Sequence, residues 1–167
     1  TIQRSGQVLL EIIDEILDTS KIESGHFDFE SKPFDLVGLI EGVTELLAPR
    51  AHAKGIEISC RVAPAAPSTF TSDELRLRQI LFNLCGNAIK FTERGGVALE
   101  VDYDGASRSL LVKVADSGIG MTAEETARIF DEYAQASNAT KRLFGGTGLG
   151  LSITKKIVAG MKGKISV

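Results

Sequence analysis

The chain has 167 residues, a net charge of −3, 43% hydrophobic and 25% charged residues, and 2 cysteines. That length suits one domain with its own core and a short appendage, and the balance is that of ordinary globular protein. No basic stripe points to nucleic acid, no apolar run is long enough to span a bilayer and no signal-peptide pattern is present; Cys60 and Cys85 lack metal or disulfide spacing and read as reduced core residues.

Residues 2 to 23 predict one helix. Leu9, Ile12, Ile13, Ile16 and Leu17 recur at threes and fours, with Glu11, Asp14, Glu15 and Asp18 opposite, a stripe that suits a helical bundle or, failing that, its own domain. Ser24-Gly25 break the pattern, and the stretch to Phe34, with Phe27 and Phe29 alternating, predicts a strand after a hinge. Asp35 can cap a second helix with Leu36, Leu39, Ile40, Val43, Leu46 and Leu47 as its core face. Ile56, Ile58, Cys60 and Val62 alternate as a strand, the Pro- and Ala-rich residues 63 to 69 form a loop, and Asp73 to Phe91 form a third helix. Val97, Leu99 and Val101, then Leu110, Val112 and Val114, predict two strands around a turn at Asp104-Gly105. A short helix from about Ala123 to Asp131, a mobile loop over 134 to 147, a last helix from about Leu149 to Ala159 and a strand beginning at Lys164 complete the chain. Helices interleaved with hairpin strands indicate a two-layer α/β sandwich, a mixed sheet covered by helices on one face, with the first helix as part of a bundle ahead of it.

Three motifs carry chemistry. On the third helix Asn83, Asn87 and Lys90 lie four and three residues apart and so share a face, which Arg76 and Gln79 extend between apolar flanks. Amide oxygens suit a hard cation such as Mg²⁺ and a lysine suits phosphate; two buried asparagines satisfied by backbone are the structural alternative. In VADSGIGM, residues 114 to 121, a strand delivers Asp116 and breaks into Gly118 and Gly120. A carboxylate there can accept from the exocyclic amine of adenine, whereas guanine offers a carbonyl at that position. One hydrogen bond to a charged group contributes roughly 1.5–3 kcal/mol, enough to select the base. In FGGTGLGLSITKK, residues 144 to 156, Gly145, Gly146, Gly148 and Gly150 precede a helix whose N-terminus can meet an anion. It is not a Walker A loop, because Leu151 stands where Lys is required, and no strand leads into it as a dinucleotide fingerprint demands. Each of the last two motifs is weak alone, since strand-to-loop turns and glycine-rich helix starts are common.

In their order along the chain the motifs resemble the ATP-binding catalytic domain of a sensor histidine kinase of the hybrid type, within the GHKL (Bergerat) ATPase superfamily. DELRLRQILFNLCGNAIKFT is similar to that family's N box, DSGIGM to its first glycine box, IFDEY to its F box and GGTGLGLSI to its second glycine box. VLLEIIDEILDTSKIESG, residues 8 to 25, resembles the end of the second helix of the dimerisation and phosphoacceptor hairpin, so residues 1–24 are expected to be hairpin and 25–167 catalytic domain. The resemblance implies that Asn87 ligates Mg²⁺, that Asn83 supports metal and phosphates, that Lys90 contacts phosphate, that Phe91 packs on the base and that Asp116 reads its amine. It further implies that Gly118 and Gly120 shape the adenine side, that Phe130 and Tyr133 anchor the lid, that Arg142 lies near the γ-phosphate, and that Gln135, Thr147, Gly148, Leu149, Gly150 and Leu151 line the nucleotide. ATP and Mg²⁺ are the implied cofactors. A phosphoacceptor helix of the same or a partner chain and a response-regulator receiver domain are the implied partners, in a homodimeric and cytoplasmic setting.

Three departures qualify it. The acceptor motif, a His followed by an acidic residue and Arg-Thr-Pro, is absent: His26 precedes Phe27 and His52 precedes Ala53. The chain is thus expected to bind ATP without phosphorylating a histidine of its own. The family continues with further strands past Val167, and Gln135 stands where many relatives carry a lid arginine, a feature of the hybrid subgroup. Two other functions compete. GHKL ATPases that hydrolyse ATP usually carry Glu one turn before the metal asparagine; here that residue is Asn83, and an amide cannot take a proton from water. A docking pseudokinase would keep the fold without phosphotransfer.

Overall fold

The computed structural model describes residues 28–131 and 148–167. These fall into two compact units, Glu30–Gly120 and a second one to which 28–29, 121–131 and 148–167 belong.

In the first unit, strand β1 (Lys32–Asp35) runs directly into helix α1 (Leu36–Ala53). The turn from one to the other is set by Asp35, whose carboxylate accepts from the Gly38 N–H at 3.1 Å and satisfies a donor the helix cannot. Strand β2 (Glu57–Val62), strand β3 (Thr69–Ser72) and helix α2 (Glu74–Phe91) follow. Asp73 starts α2 and does two jobs from a buried position: one oxygen accepts from Arg76 N–H at 3.0 Å, the other from Glu30 N–H at 3.0 Å. Strands β4 (Gly96–Asp104) and β5 (Ser109–Asp116) close the unit.

β4 is the centre of a three-stranded mixed sheet, parallel to β2 and antiparallel to β5. Val97, Leu99 and Val101 turn to its covered face, where α1 lies against β2 and α2 against β4 and β5. Leu36, Leu39, Ile40, Val43 and Leu47 of α1 and Leu81, Cys85 and Ile89 of α2 complete this core. Burial pushes the Cys85 thiol up to about 12, with Cys60 as a lesser cause, so Cys85 behaves as a small apolar group. The expected two-layer α/β sandwich is present, and a second sheet joins it: β1 pairs with β3, bringing the Phe34 and Phe70 rings edge to face at 6.1 Å.

Five details differ from expectation. Leu46 is 62% exposed, because the buried stripe of α1 is narrow enough that Val43 and Leu47 fill it. The strand expected up to Phe34 begins only at Lys32, β3 lies at the end of the Pro- and Ala-rich segment, and Lys164–Val167 form no strand among the described residues. The connection between β4 and β5 is four residues, with Arg108 rather than a glycine at positive φ (55°).

The second unit contains helices α3 (Ala123–Arg128) and α4 (Gly150–Gly160). Thr122 and Glu125 form a reciprocal capping box that starts α3. The Phe29 ring lies so close to Gly160 that a Cβ there would overlap it. Leu149, Ser152, Ile153, Thr154 and Ile157 are buried, and the two hydroxyls turn back onto the helix: Ser152 donates to Leu149 O at 2.8 Å and Thr154 to Gly150 O at 2.9 Å. The helix expected over residues 2 to 23 and the loop over 134 to 147 lie outside the described residues. Among the described residues no helix is long and apolar enough to cross a membrane.

Candidate functional site

The polar line on α2 lies between buried neighbours. Leu77, Leu81, Cys85, Ala88 and Ile89 are buried, while Arg76, Gln79, Asn83, Asn87 and Lys90 are all half-buried. The line is therefore neither a solvated face nor a sealed core. Its members bond along the helix: Arg76 donates to Gln79 Oε1 at 2.8 Å, and Asn87 Nδ2 donates to Asn83 Oδ1 at 3.3 Å. With its nitrogen so engaged, Asn87 keeps its amide oxygen as an acceptor. One helical turn on, Lys90 holds its ammonium 5.0 Å from the Phe91 ring centre. Partial burial lowers its pKa below the ordinary 10.5, because the charged form loses hydration.

The end of β5 is stitched to the end of α2. Ile119 N–H donates to Phe91 O at 3.3 Å, and Ser117 N–H donates to Gly96 O at 3.2 Å. The Ser117 hydroxyl adds two more ties, accepting from Gly96 N–H at 3.0 Å and donating to Arg94 O at 2.9 Å. Asp116 is thereby carried to the sheet edge with its carboxylate exposed; Oδ1 accepts from Gly118 N–H at 2.8 Å, and Oδ2 takes no hydrogen bond from the described residues. Gly118 is required by this closeness. A Cβ there would sit 2.7 Å from both Asp116 Oδ1 and Phe91 O, a separation that nothing short of backbone movement relieves. Gly120 follows at φ +68°.

In the second unit the described part of the glycine-rich motif is the start of α4. Gly148 takes φ +74°, the left-handed region that costs other residues energy, and Leu149 stands at the N-cap. A leucine has no acceptor to offer, so no side chain of the N-cap closes this helix start, unlike those of α1, α2 and α3. Gly150 and Leu151 form its first turn. Phe130 is half-buried under Lys155, whose Nζ is 5.9 Å from the ring centre.

Residues 72–167 match the family described as histidine kinase-, DNA gyrase B- and HSP90-like ATPase. The chain belongs to that family. It is 43% identical over 170 residues to the sensor protein GacS of Pseudomonas syringae pv. syringae, covering 100% of this chain and 19% of that one. It is similar in structure to full-length ShkA in complex with AMPPNP, with a TM-score of 0.83 and 39% identity over 95% of this chain and 32% of that one. It is also similar to the histidine kinase ThkA in its complex with the response regulator protein TrrA, with a TM-score of 0.70 and 25% identity over 97% of this chain and 43% of that one. Within the family the chain is thus an ATP-binding catalytic domain of the two-component sensor histidine kinase type, with hybrid kinases among its relatives. It spans about a fifth of the length of GacS.

This ATPase domain places Asn83, Asn87, Lys90, Phe91, Asp116, Gly118 and Gly120 in one unit, around the joined ends of α2 and β5. Phe130, Gly148, Leu149, Gly150 and Leu151 belong to the other unit, and Tyr133, Gln135, Arg142 and Thr147 lie outside the described residues. His52 is an exposed residue in the last turn of α1 and His26 is not described. Three participants were not legible as site residues. Thr92, fully buried, donates its hydroxyl to Ala88 O at 2.8 Å and ends α2; Ser117 ties Asp116 to the sheet; Lys54 reaches the same helix end from α1. The DSG triplet contained the Ser117 signal, but the partners of Lys54 are more than 30 residues away in sequence.

The donor set suits the ligands of this family. A carboxylate oxygen without a protein donor faces solvent at Asp116 and can accept from an amine. Asn87 offers a neutral oxygen to a hard cation, and Mg²⁺ commonly takes only one or two protein ligands, the remainder being phosphate oxygens and water. Among the described residues no group of three His, Cys, Asp or Glu could hold a metal by itself.

Proposed function

We propose that this chain binds Mg-ATP and presents its γ-phosphoryl group to a histidine on the dimerisation hairpin of the full-length protein, for relay to a receiver aspartate. The observation that carries this is the joined end of α2 and β5, where the Ile119 N–H to Phe91 O hydrogen bond ties the helix bearing the Asn83–Asn87 pair and Lys90 to the strand end bearing the Asp116 carboxylate. Asp116 selects adenine by accepting from its amine. Phe91 covers the base, and Gly118 and Gly120, having no side chains, let backbone approach it closely. Asn87, supported by Asn83, holds Mg²⁺, which neutralises phosphate charge when bound. Lys90 adds a second positive charge, made stronger by its partial desolvation. Gly148, Leu149, Gly150 and Leu151 receive phosphate oxygens at the start of α4, and Thr147 and Arg142 continue that contact, with Arg142 at the γ-phosphate. Phe130 and Gln135 belong to the lid.

The domain contributes position and charge neutralisation and forms no covalent bond of its own. A histidine nitrogen attacks the γ-phosphorus, the bond to the β-phosphate bridging oxygen breaks, and ADP leaves. The histidine comes from the acceptor helix of the same or a partner chain in a cytoplasmic homodimer. Onward transfer goes to a response-regulator receiver domain; the ThkA–TrrA complex is of a kinase with such a partner.

Two measurements test this together. Calorimetric titration is expected to show binding of Mg-ATP and at least tenfold weaker binding of Mg-GTP, the order of one hydrogen bond to a charged group. Adding the acceptor helix within a complete hairpin is expected to yield phosphohistidine from γ-labelled ATP. Binding without label would favour a docking pseudokinase. Steady hydrolysis by the chain alone, abolished in Asn87→Ala, would favour a hydrolysing ATPase, which the amide of Asn83 disfavours because it cannot act as general base.

A further inference from the structure

The geometry points to Lys54 as a positioning residue for the base end of this site, an assignment that rests on the nucleotide reading above. Lys54 is the C-cap residue of α1, where a lysine ordinarily trails into solvent. Its ammonium instead donates to three carbonyl oxygens at the end of α2: Ile89 at 2.7 Å, Lys90 at 2.8 Å and Thr92 at 2.7 Å. Three N–H donors meet three acceptors, so the hydrogen-bonding capacity of the group is used completely. The charge sits where the helix carries its partial negative end and its last carbonyls lack intrahelical partners.

What those carbonyls bracket gives the arrangement its consequence. Phe91 lies between the bonded residues, and its own carbonyl accepts from Ile119 N–H and lies against Gly118 with no room for a Cβ. Gly118 N–H in turn holds Asp116 Oδ1. A continuous chain of contacts therefore runs from Lys54 through the last turn of α2 to the Gly118 turn and the Asp116 carboxylate. Lys54 touches neither base nor phosphate in this scheme. It fixes the backbone at Phe91 and, through the Gly118 turn, the carboxylate of Asp116, the two residues that would.

The test compares the unaltered 167-residue chain with Lys54→Met, which keeps an apolar stem and removes all three donors, and with Lys54→Arg, which keeps the charge but presents a planar fork that cannot aim one nitrogen at three carbonyls. Lys54→Met is expected to weaken adenosine and Mg-ATP by the same factor of about ten, because the defect lies at the base end, and Lys54→Arg by about threefold, the scale of charge-assisted hydrogen bonds. Amide hydrogen exchange at Ile119 is expected to accelerate about tenfold in Lys54→Met, with Val101 in the centre of β4 unchanged. A lower melting temperature with unaltered adenosine affinity and unaltered exchange at Ile119 would make Lys54 a helix stabiliser only and overturn the inference. If the unaltered chain bound no nucleotide, the site assignment would fall, while exchange at Ile119 would still decide the coupling. If Lys54→Met failed to fold, the intermediate values in Lys54→Arg would carry the same decision.

Discussion

Helices α2 and α4 begin in opposite ways. α2 starts at Asp73, a buried carboxylate that satisfies its first turn and fastens Glu30 as well, and the groups proposed to meet the ligand, Asn83, Asn87, Lys90 and Phe91, lie in its second half. α4 starts at Leu149, which has no side-chain acceptor, after a glycine held at positive φ. A helix that is closed at its N-terminus offers side chains to a ligand. One that is left open offers backbone N–H groups and the positive end of its dipole. On the proposed function the two helices supply different kinds of recognition: a directional amide oxygen and an ammonium from α2, and non-selective backbone donors for an anion from α4.

Substitutions that break the contrast are expected to act in a defined order. The largest effect is at Asn87→Ala, expected to weaken Mg-ATP about 100-fold, the upper range for disturbed metal sites. Repeating the titration without Mg²⁺ should abolish the difference between variant and unaltered chain, and a difference that persists would remove Asn87 from the metal. Next is Asp116→Asn, which trades a charged acceptor for an amide and should cost roughly 1.5–3 kcal/mol of affinity for adenosine, ADP and ATP alike. The same variant should lose the preference for ATP over GTP, as competition calorimetry would read. Gly148→Ala is smaller. A Cβ at φ +74° costs about 1–2 kcal/mol, and the strain should appear in ATP and ADP affinity while adenosine binding stays unchanged. Equal losses for adenosine would place Gly148 away from the phosphates.

The smallest effect is a proton. Lys90 has a folded-state pKa below 10.5 because of burial. While the lysine is protonated in both folded and unfolded states, its lost hydration lowers stability. That cost is relieved as pH rises through the lowered folded-state pKa towards 10.5, so the contribution of Lys90 to stability increases with pH in the window just below 10.5. A bound phosphate favours the charged form, so nucleotide binding in that window should take up protons. Calorimetry in buffers of different ionisation enthalpy would show the uptake, and Lys90→Met should remove it.

Much of the fold was legible because its signals are local. α2 runs from Glu74 to Phe91, within one residue of the expected Asp73 to Phe91, with Asp73 as its cap, and β4 and β5 follow their alternating Val and Leu residues. β3 was hidden because Thr-Phe-Thr-Ser is four residues long and becomes a strand only by pairing with β1. Periodicity marks a stripe without its width, so it includes Leu46, which the fold leaves exposed. Of the candidate site, residue types and order could be read from the N box and the glycine boxes. Lys54 could not, since a lysine beside a glycine at a helix end reads as a solvated charge until its three acceptors, 35 to 38 residues away, are in place.

The amino-acid sequence by itself determined which chemistry is available: amide oxygens and a lysine at helical spacing, an acid at a strand end, and glycines where backbone must come close. Those choices are made by periods, caps and turn residues that act over a few positions. Only the tertiary structure decided how the strand end and the helix end are tied, through Ser117, Ile119 and Lys54, because those bonds form between residues that nothing but the packed sheet and helices brings within reach.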